Sequence, residues 1–69
     1  MVEEVVKNWI DALMDKHDVR AIEDLPHDVL VDEIAEANGN IQNCRVWNDR
    51  FGIACSKYYI ELLEDALST

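Results

Sequence analysis

The stretch PHDVLVDEIAEANGNIQNCRVWNDRF, residues 26–51, decides the fold, because its apolar side chains recur at alternating steps of four and three residues. These positions are Leu30, Ile34, Ala37, Ile41, Cys44, then Asn48 and Phe51. Such spacing is typical of a helix that buries one seam along its length. Pro26 suits the first helical turn, where its missing N–H would have no partner. The pattern predicts one long helix from Pro26 to about Arg50.

The tripeptide Asn38-Gly39-Asn40 interrupts this series and would also fit a helix end followed by a turn. Two structures are therefore open for the central stretch, a continuous helix and a helix-turn-helix. A glycine inside a helix costs only about 1 kcal/mol relative to alanine, and the apolar register continues across Gly39 without slipping. The continuous helix is favoured.

The segment before the central stretch, Val2 to about His17, predicts a second amphipathic helix. Glu3 and Glu4 in its first turn and Lys16 in its last carry the charges that the helix dipole favours at those ends. Its apolar residues recur every three or four positions: Val2, Val5, Val6, Trp9, Ile10, Leu13 and Met14. A connector, residues 18–25, then leads to Pro26.

On the other side, Gly52 is predicted to end the central helix, and a third helix is predicted from Ile53 to about Leu67. The buried stripe of this third helix is predicted to be Cys55, Tyr59, Leu62, Leu63 and Ala66. Two glycines and one proline in 69 residues leave few places for the turns that many strands need. We therefore expect an all-α three-helix bundle that forms a single domain, residues 1–69.

A chain this short buries only roughly 60% of the surface that its unfolded form exposes, so its own core is marginal. Small domains often add a disulfide, a metal or a partner chain. Two cysteines do not make a disulfide framework, and the spacing of the possible zinc ligands fits no familiar site; these are His17, His27, Cys44 and Cys55. A partner chain is the remaining means of stabilising the domain, so we expect a homodimer paired through the central helix.

Asn48 stands at a position of the seam that should be apolar. A lone asparagine on such a seam can fix the register and the number of paired helices. At a helix end that frays toward Gly52, the same side chain would instead be exposed, and both interpretations stay open. The predicted dimer seam is Leu30, Ile34, Ile41, Cys44 and Asn48.

Acidic residues outnumber basic residues by fifteen to six, which gives a net charge of −9. Such a surface is repelled by nucleic acid and by anionic lipid, and a basic protein surface is the more natural target. We name the densest set of carboxylates the acidic ridge: Glu23, Asp24, Asp28, Asp32, Glu33 and Glu36. The acidic ridge fits a docking strip for a basic partner, and it fits equally a solvated face that serves only solubility.

Residues 45–51 carry a local charge of +1, with two arginines against one aspartate. We name Arg45, Trp47, Arg50 and Phe51 the aromatic face. Tryptophan and arginine are enriched at the energetic centres of protein interfaces, and Trp47 and Phe51 are expected to share one face of the central helix. In the alternative, Trp47 is a core residue packed against Trp9 or Tyr59.

Catalytic motifs are lacking in the sequence: it has no phosphate loop, dinucleotide-binding turn, nucleophile elbow or closely spaced cysteine pair. We therefore predict no enzyme activity, cofactor or metal. The leading prediction is a protein-binding module, such as an inhibitor or decoy of a basic or nucleic-acid-binding protein, a role that small acidic phage proteins often have. The alternatives are a scaffold subunit and a regulatory adaptor that docks through the aromatic face.

The expected location is the cytoplasm, or the host cytoplasm if a phage encodes the chain. No apolar stretch approaches the roughly 20 residues that cross a bilayer. The start, Met1-Val2-Glu3-Glu4, also lacks the positive charge that opens a secretion signal.

Overall fold

The computed structural model describes residues 1–68, and every regular element in that range is helical. The elements are α1 (Val2–Lys16), a short 3₁₀ turn (Ile22–Asp24), α2 (His27–Val46) and α3 (Arg50–Ser68). The all-α, three-helix prediction is confirmed, and α2 passes through Gly39 without a break. Within residues 1–68 there is no helix both long and apolar enough to cross a bilayer.

α3 is the central helix of the bundle. Both α1 and α2 pack against it, whereas the backbones of α1 and α2 approach each other at few points. Val6 and Leu63 are fully buried where α1 meets α3. The predicted stripe of α3 is buried at four of its five positions, and Leu62 is half-buried. The buried apolar side chains of the described residues are Val6, Leu13, Leu25, Leu30, Ala37, Ile41, Cys55, Tyr59, Leu63 and Ala66.

The seam of α2 packs inside the chain. Leu30 and Ile41, which were predicted to meet a second copy, are 1% and 6% exposed, and Ile34 and Cys44 are half-buried. α2 makes its main contacts with α3. The apolar series of the central stretch therefore already has a partner within the chain, and association of two copies stays a prediction.

The boundary between the second and third helices differs from the prediction. α2 ends at Val46 rather than near Arg50, and α3 begins at Arg50 rather than at Ile53. Gly52, which was predicted to end the central helix, lies instead in the first turn of α3. The seven-residue apolar pattern continued across the break by coincidence of spacing, so it could not mark where the helix stops.

Asn48 ends α2, because its backbone adopts the left-handed conformation with φ 55°. The N–H of Asn48 donates to the carbonyl of Arg45 at 3.2 Å, and the N–H of Asp49 donates to the carbonyl of Cys44 at 2.7 Å. These two bonds form a Schellman motif, which satisfies the last carbonyls of a helix. Asparagine accepts the left-handed conformation more readily than most residues. Asn48 is thus a helix terminator and not a helical seam position.

α1 ends in the same way at Asp18, whose φ is 54°. The N–H of Val19 donates to the carbonyl of Met14 at 3.0 Å, and the N–H of Asp18 donates to the carbonyl of Asp15 at 3.2 Å. Two helix ends therefore stop without a glycine, and each uses a short polar side chain that tolerates the left-handed backbone.

The start of α3 is fixed by Asp49. Its Oδ1 accepts a hydrogen bond from the N–H of Gly52 at 3.0 Å, as expected of an aspartate that caps a helix N-terminus. A Cβ added to Gly52 would lie 2.6 Å from Oδ2 of Asp49 and 2.7 Å from Sγ of Cys44, closer than real contacts allow. By contrast, a Cβ added to Gly39 would meet nothing within 4 Å.

The two glycines of the chain are therefore expected to respond in opposite directions to alanine. Gly39→Ala should raise the free energy of unfolding by about 0.5–1 kcal/mol, because alanine favours the helix and finds open space. Gly52→Ala should lower it by about 1 kcal/mol, because the methyl group displaces the capping carboxylate of Asp49. Urea denaturation followed by circular dichroism measures both. Stabilisation by both substitutions would show that the close approach at Gly52 is not required.

Candidate functional site

The aromatic face is exposed at the turn between α2 and α3. Trp47, the residue that follows α2, is 82% exposed, and Phe51, near the start of α3, is 51% exposed. Val46 extends the patch and is 78% exposed, while Arg45 and Arg50 are exposed beside it. The core alternative for Trp47 is therefore wrong. Trp47 and Phe51 also lie on opposite sides of a turn, not on one face of a continuous helix.

The side chain of Trp47 takes no part in the hydrogen bonds that form the turn. The Schellman bonds of Asn48 and Asp49 and the capping carboxylate of Asp49 complete the turn with backbone and aspartate atoms. Single exposed apolar residues are common on protein surfaces, but adjoining ones mark contact sites. Three exposed apolar side chains within residues 46–51, around one turn, make this the clearest candidate contact surface among the described residues.

The acidic ridge divides into an exposed part and an engaged part. Asp28, Asp32 and Glu36 are exposed at four-residue intervals along α2, where their like charges repel one another. Glu23 and Asp24 are also exposed, in the 3₁₀ turn. The sixth member, Glu33, is half-buried and takes part in a contact with α3. The structure therefore presents five of the six carboxylates to solvent.

Glu33, Tyr59 and Trp9 connect the three helices. The hydroxyl of the buried Tyr59 donates a hydrogen bond of 2.8 Å to Oε1 of Glu33. The ring of Trp9 packs edge-to-face on Tyr59, with centroids 5.6 Å apart and planes at 82°. Such pairs favour contact between the edge of one ring and the face of the other. The Glu33–Tyr59 bond could not be predicted from the sequence, because 26 residues separate the two partners.

Burial raises the pKa of Tyr59, and the hydrogen bond and negative charge of Glu33 raise the same pKa further, with a smaller effect from the charge of Glu36. All of these causes disfavour a phenolate, which would lie without solvent beside a carboxylate. Tyr59 therefore remains a neutral hydrogen-bond donor.

Tyr59 should make the fold sensitive to alkaline pH. Because its pKa is higher in the folded than in the unfolded chain, its contribution to stability is full below the unfolded pKa of about 10 and is lost as the pH rises above it. We expect the thermal midpoint to fall more steeply between about pH 10 and pH 12 in the wild type than in Tyr59→Phe. The change of the midpoint with pH is compared, and not the midpoint itself, because Tyr59→Phe also loses the hydrogen bond to Glu33 at neutral pH. Equal slopes would contradict this assignment.

A groove of about 350 Å³ opens between α1 and α2, above the surface of α3. It lies where the backbones of these two helices are close to α3 and approach each other at few points. Trp9, Ala37 and Tyr59 contribute apolar and aromatic surface, and the charged residues that line it are Lys16, Glu33 and Glu36. Trp9 is 39% exposed, which leaves part of its ring accessible. Sequence reasoning placed Trp9 on a buried stripe and did not predict the groove.

The two cysteines are free thiols. Cys55 is buried, and burial is the main cause that raises its pKa, followed by the nearby carboxylate of Asp49. Cys44 is half-buried, with Sγ 3.9 Å from Oδ2 of Asp49. Within residues 1–68, the structure brings together no group of three or more side chains that could hold a metal ion.

Comparison with protein-family models, curated proteins and solved structures finds no match. The function must therefore be argued from the surfaces of the chain itself. Two of them differ from an ordinary solvated surface: the aromatic face and the groove, whose rim includes Glu36 of the acidic ridge.

Proposed function

We propose that this chain is a protein-binding module that docks through the aromatic face onto a partner with a basic surface. The observation that carries the proposal is the exposure of Trp47, which is 82% accessible, at a turn where Val46 is 78% exposed and Phe51 is 51% exposed. A tryptophan that contributes nothing to its own core is available to fill a pocket on another protein. Tryptophan is among the residues that contribute most to such contacts.

The arginines complete this surface. Arg45 and Arg50 flank Trp47 and are exposed. An exposed aromatic residue with exposed arginines close to it in the chain resembles the usual arrangement of an interface, with an apolar centre and a polar rim. The partner would therefore offer an apolar pocket with acceptors at its edge.

The net charge of −9 supports a partner whose wider surface is basic. Exposed carboxylates steer a basic protein toward the chain, mainly by raising the association rate, and salt screens this attraction. The three evenly spaced carboxylates of α2, Asp28, Asp32 and Glu36, are exposed and point to this role. Association takes place in the cytoplasm in this proposal, with no catalysis and no cofactor.

The second candidate function is a decoy that occupies the nucleic-acid site of its partner. The exposure of Asp28, Asp32 and Glu36 at regular intervals along one helix favours it, because a row of carboxylates can take the place of a phosphate backbone against lysines and arginines. In this case the acidic ridge, and not Trp47, would supply most of the affinity.

Affinity capture from native extracts, with mass spectrometry, tests the proposal when three baits are compared. The baits are the wild type, Trp47→Ser, and a chain with Asp28→Asn, Asp32→Asn and Glu36→Gln. Docking through the aromatic face predicts that Trp47→Ser loses the partner, whereas the triple variant keeps it with weaker salt dependence. A decoy predicts the reverse.

Each remaining outcome counts against the proposal. Equal capture of one partner by the wild type and Trp47→Ser would overturn docking through the aromatic face. A bait that oligomerises as its concentration rises and captures no other protein would indicate a scaffold subunit. Circular dichroism of all three baits confirms that each is folded before capture.

A further inference from the structure

We propose that the groove between α1 and α2 is a binding site for an arginine side chain of the partner protein. This inference deepens the proposed function, on which it rests for a partner with a basic surface, and names the group that the groove would recognise. It uses a site separate from the aromatic face. The groove combines an accessible aromatic ring, apolar walls and two carboxylates within one opening.

The aromatic part of the groove suits a guanidinium group. Trp9 lines the opening, is 39% exposed, and meets Tyr59 edge-to-face, so the two rings do not cover each other's faces completely. Arginine stacks its planar group on tryptophan more favourably than on other aromatic residues. The apolar stem of the arginine would lie against Leu13 and Ala37, which also line the groove.

The carboxylates lie on the wall that α2 supplies. Glu33 and Glu36 are one helical turn apart and both line the groove. Tyr59 donates to Oε1 of Glu33, which holds that side chain in place and leaves its second oxygen as an acceptor. Arginine forms two parallel hydrogen bonds to carboxylates, which gives both direction and selectivity.

Lys16 opposes this binding. It lines the groove from α1, and with Glu33 and Glu36 it leaves one net negative charge in the opening. Its exposed, flexible side chain can move into solvent when a second cation enters. The groove should therefore bind arginine more tightly once the charge of Lys16 is removed. Removal of a carboxylate should have the opposite effect and weaken the binding.

The volume of the groove is sufficient for an arginine side chain. The opening of about 350 Å³ is at the lower end of the range of roughly 300–1,000 Å³ that small-molecule sites occupy. A single arginine side chain attached to a protein fits within it.

The probe for this site is arginine blocked at both ends, N-acetyl-arginine amide, titrated into the ¹⁵N-labelled chain at low salt. Two-dimensional NMR reports the indole N–H of Trp9 and the backbone amides of the groove. We expect these signals to shift with a dissociation constant on the order of 1–10 mM, as for one side chain bound alone. Blocked citrulline has nearly the same shape without the charge, and it should cause no comparable shift.

Three variants test the groove. Glu36→Gln should weaken binding of blocked arginine about threefold to fivefold, and Lys16→Gln should strengthen it by a similar factor. Asp28→Asn removes the same charge as Glu36→Gln, but from a residue outside the groove, and should change the constant less than about twofold. All three positions are exposed, so the fold is expected to survive.

Equal weakening by Asp28→Asn and Glu36→Gln, or equal shifts with citrulline and arginine, would overturn the proposal, because general attraction to an acidic chain would then account for the binding. Trp47→Ser should leave the titration unchanged. Failure of the groove is thus distinguishable from failure of the aromatic face, which is measured by capture of the partner.

Discussion

Trp47→Ser is expected to weaken the affinity for the captured partner by about 30-fold or more. Removal of a tryptophan at the centre of an interface costs at least about 2 kcal/mol, and each 1.4 kcal/mol corresponds to about a tenfold change in affinity. The same substitution should change the free energy of unfolding by less than about 0.5 kcal/mol, because the side chain is 82% exposed and lies outside the core. Calorimetric titration and thermal denaturation measure the two quantities.

Val31→Ala is the matched control for this prediction. Val31 is also an exposed apolar residue of α2, at 53% accessibility, but it lies far along the helix from the turn that carries the aromatic face. Its replacement should leave the affinity for the partner within about twofold. If Val31→Ala weakened binding as much as Trp47→Ser, exposed apolar area in general, and not the aromatic face, would be responsible.

Leu63→Ala is expected to lower the free energy of unfolding more than Gly52→Ala or Trp47→Ser. The side chain is fully buried at 0% exposure, in the helix against which both other helices pack. Truncation of a buried leucine to alanine costs roughly 2–5 kcal/mol, whereas a domain of this length has a total stability of roughly 3–10 kcal/mol. We expect a loss of about 3 kcal/mol and a fall of about 15 °C in the thermal midpoint.

Leu62→Ala is the control for this prediction, because it removes the same atoms from a less buried leucine. Leu62 is the neighbouring residue of α3 and is only half-buried. Because less of its surface is removed from water, its truncation should destabilise the chain by about half as much as Leu63→Ala. Urea denaturation provides the comparison, and equal losses at the two positions would show that the core is not organised around Leu63.

Periodicity was sufficient to predict the helices and most of the core. The regular spacing of apolar residues in the first segment predicted a helix from Val2 to about His17, and α1 spans Val2–Lys16. The same argument correctly favoured a continuous α2 through Gly39, since one glycine in open space does not outweigh packing along a whole face. These predictions succeed because burial of one helical face repeats at every turn.

The same periodicity failed at the end of α2. The spacing from Cys44 to Asn48 and Phe51 continues the seam, but Asn48 adopts a left-handed backbone. A helix end is decided by the hydrogen bonds of four or five residues, not by a pattern over twenty. A local signal was present: an asparagine that tolerates this conformation is followed at once by an aspartate suited to cap the next helix.

The candidate sites could be predicted only in part. The sequence selected the aromatic face by residue type but could not decide whether Trp47 was buried, because tryptophan serves equally in cores and at interfaces. The groove could not be predicted from the sequence. It depends on the way α3 separates α1 from α2, and on the contact between Glu33 and Tyr59 across 26 residues. Spacing along one helix contains no information about either.

α1 packs mainly on α3, and this affects how the chain can open. Because the backbone of α1 lies close to that of α3 and approaches that of α2 at few points, we expect α1 to detach as a unit before the hairpin of α2 and α3 opens. Such partial opening requires less free energy than global unfolding. Each opening would uncover Val6, Leu13 and the α3 surface beneath them, so the part of the protein that we expect to be least protected is also one wall of its groove.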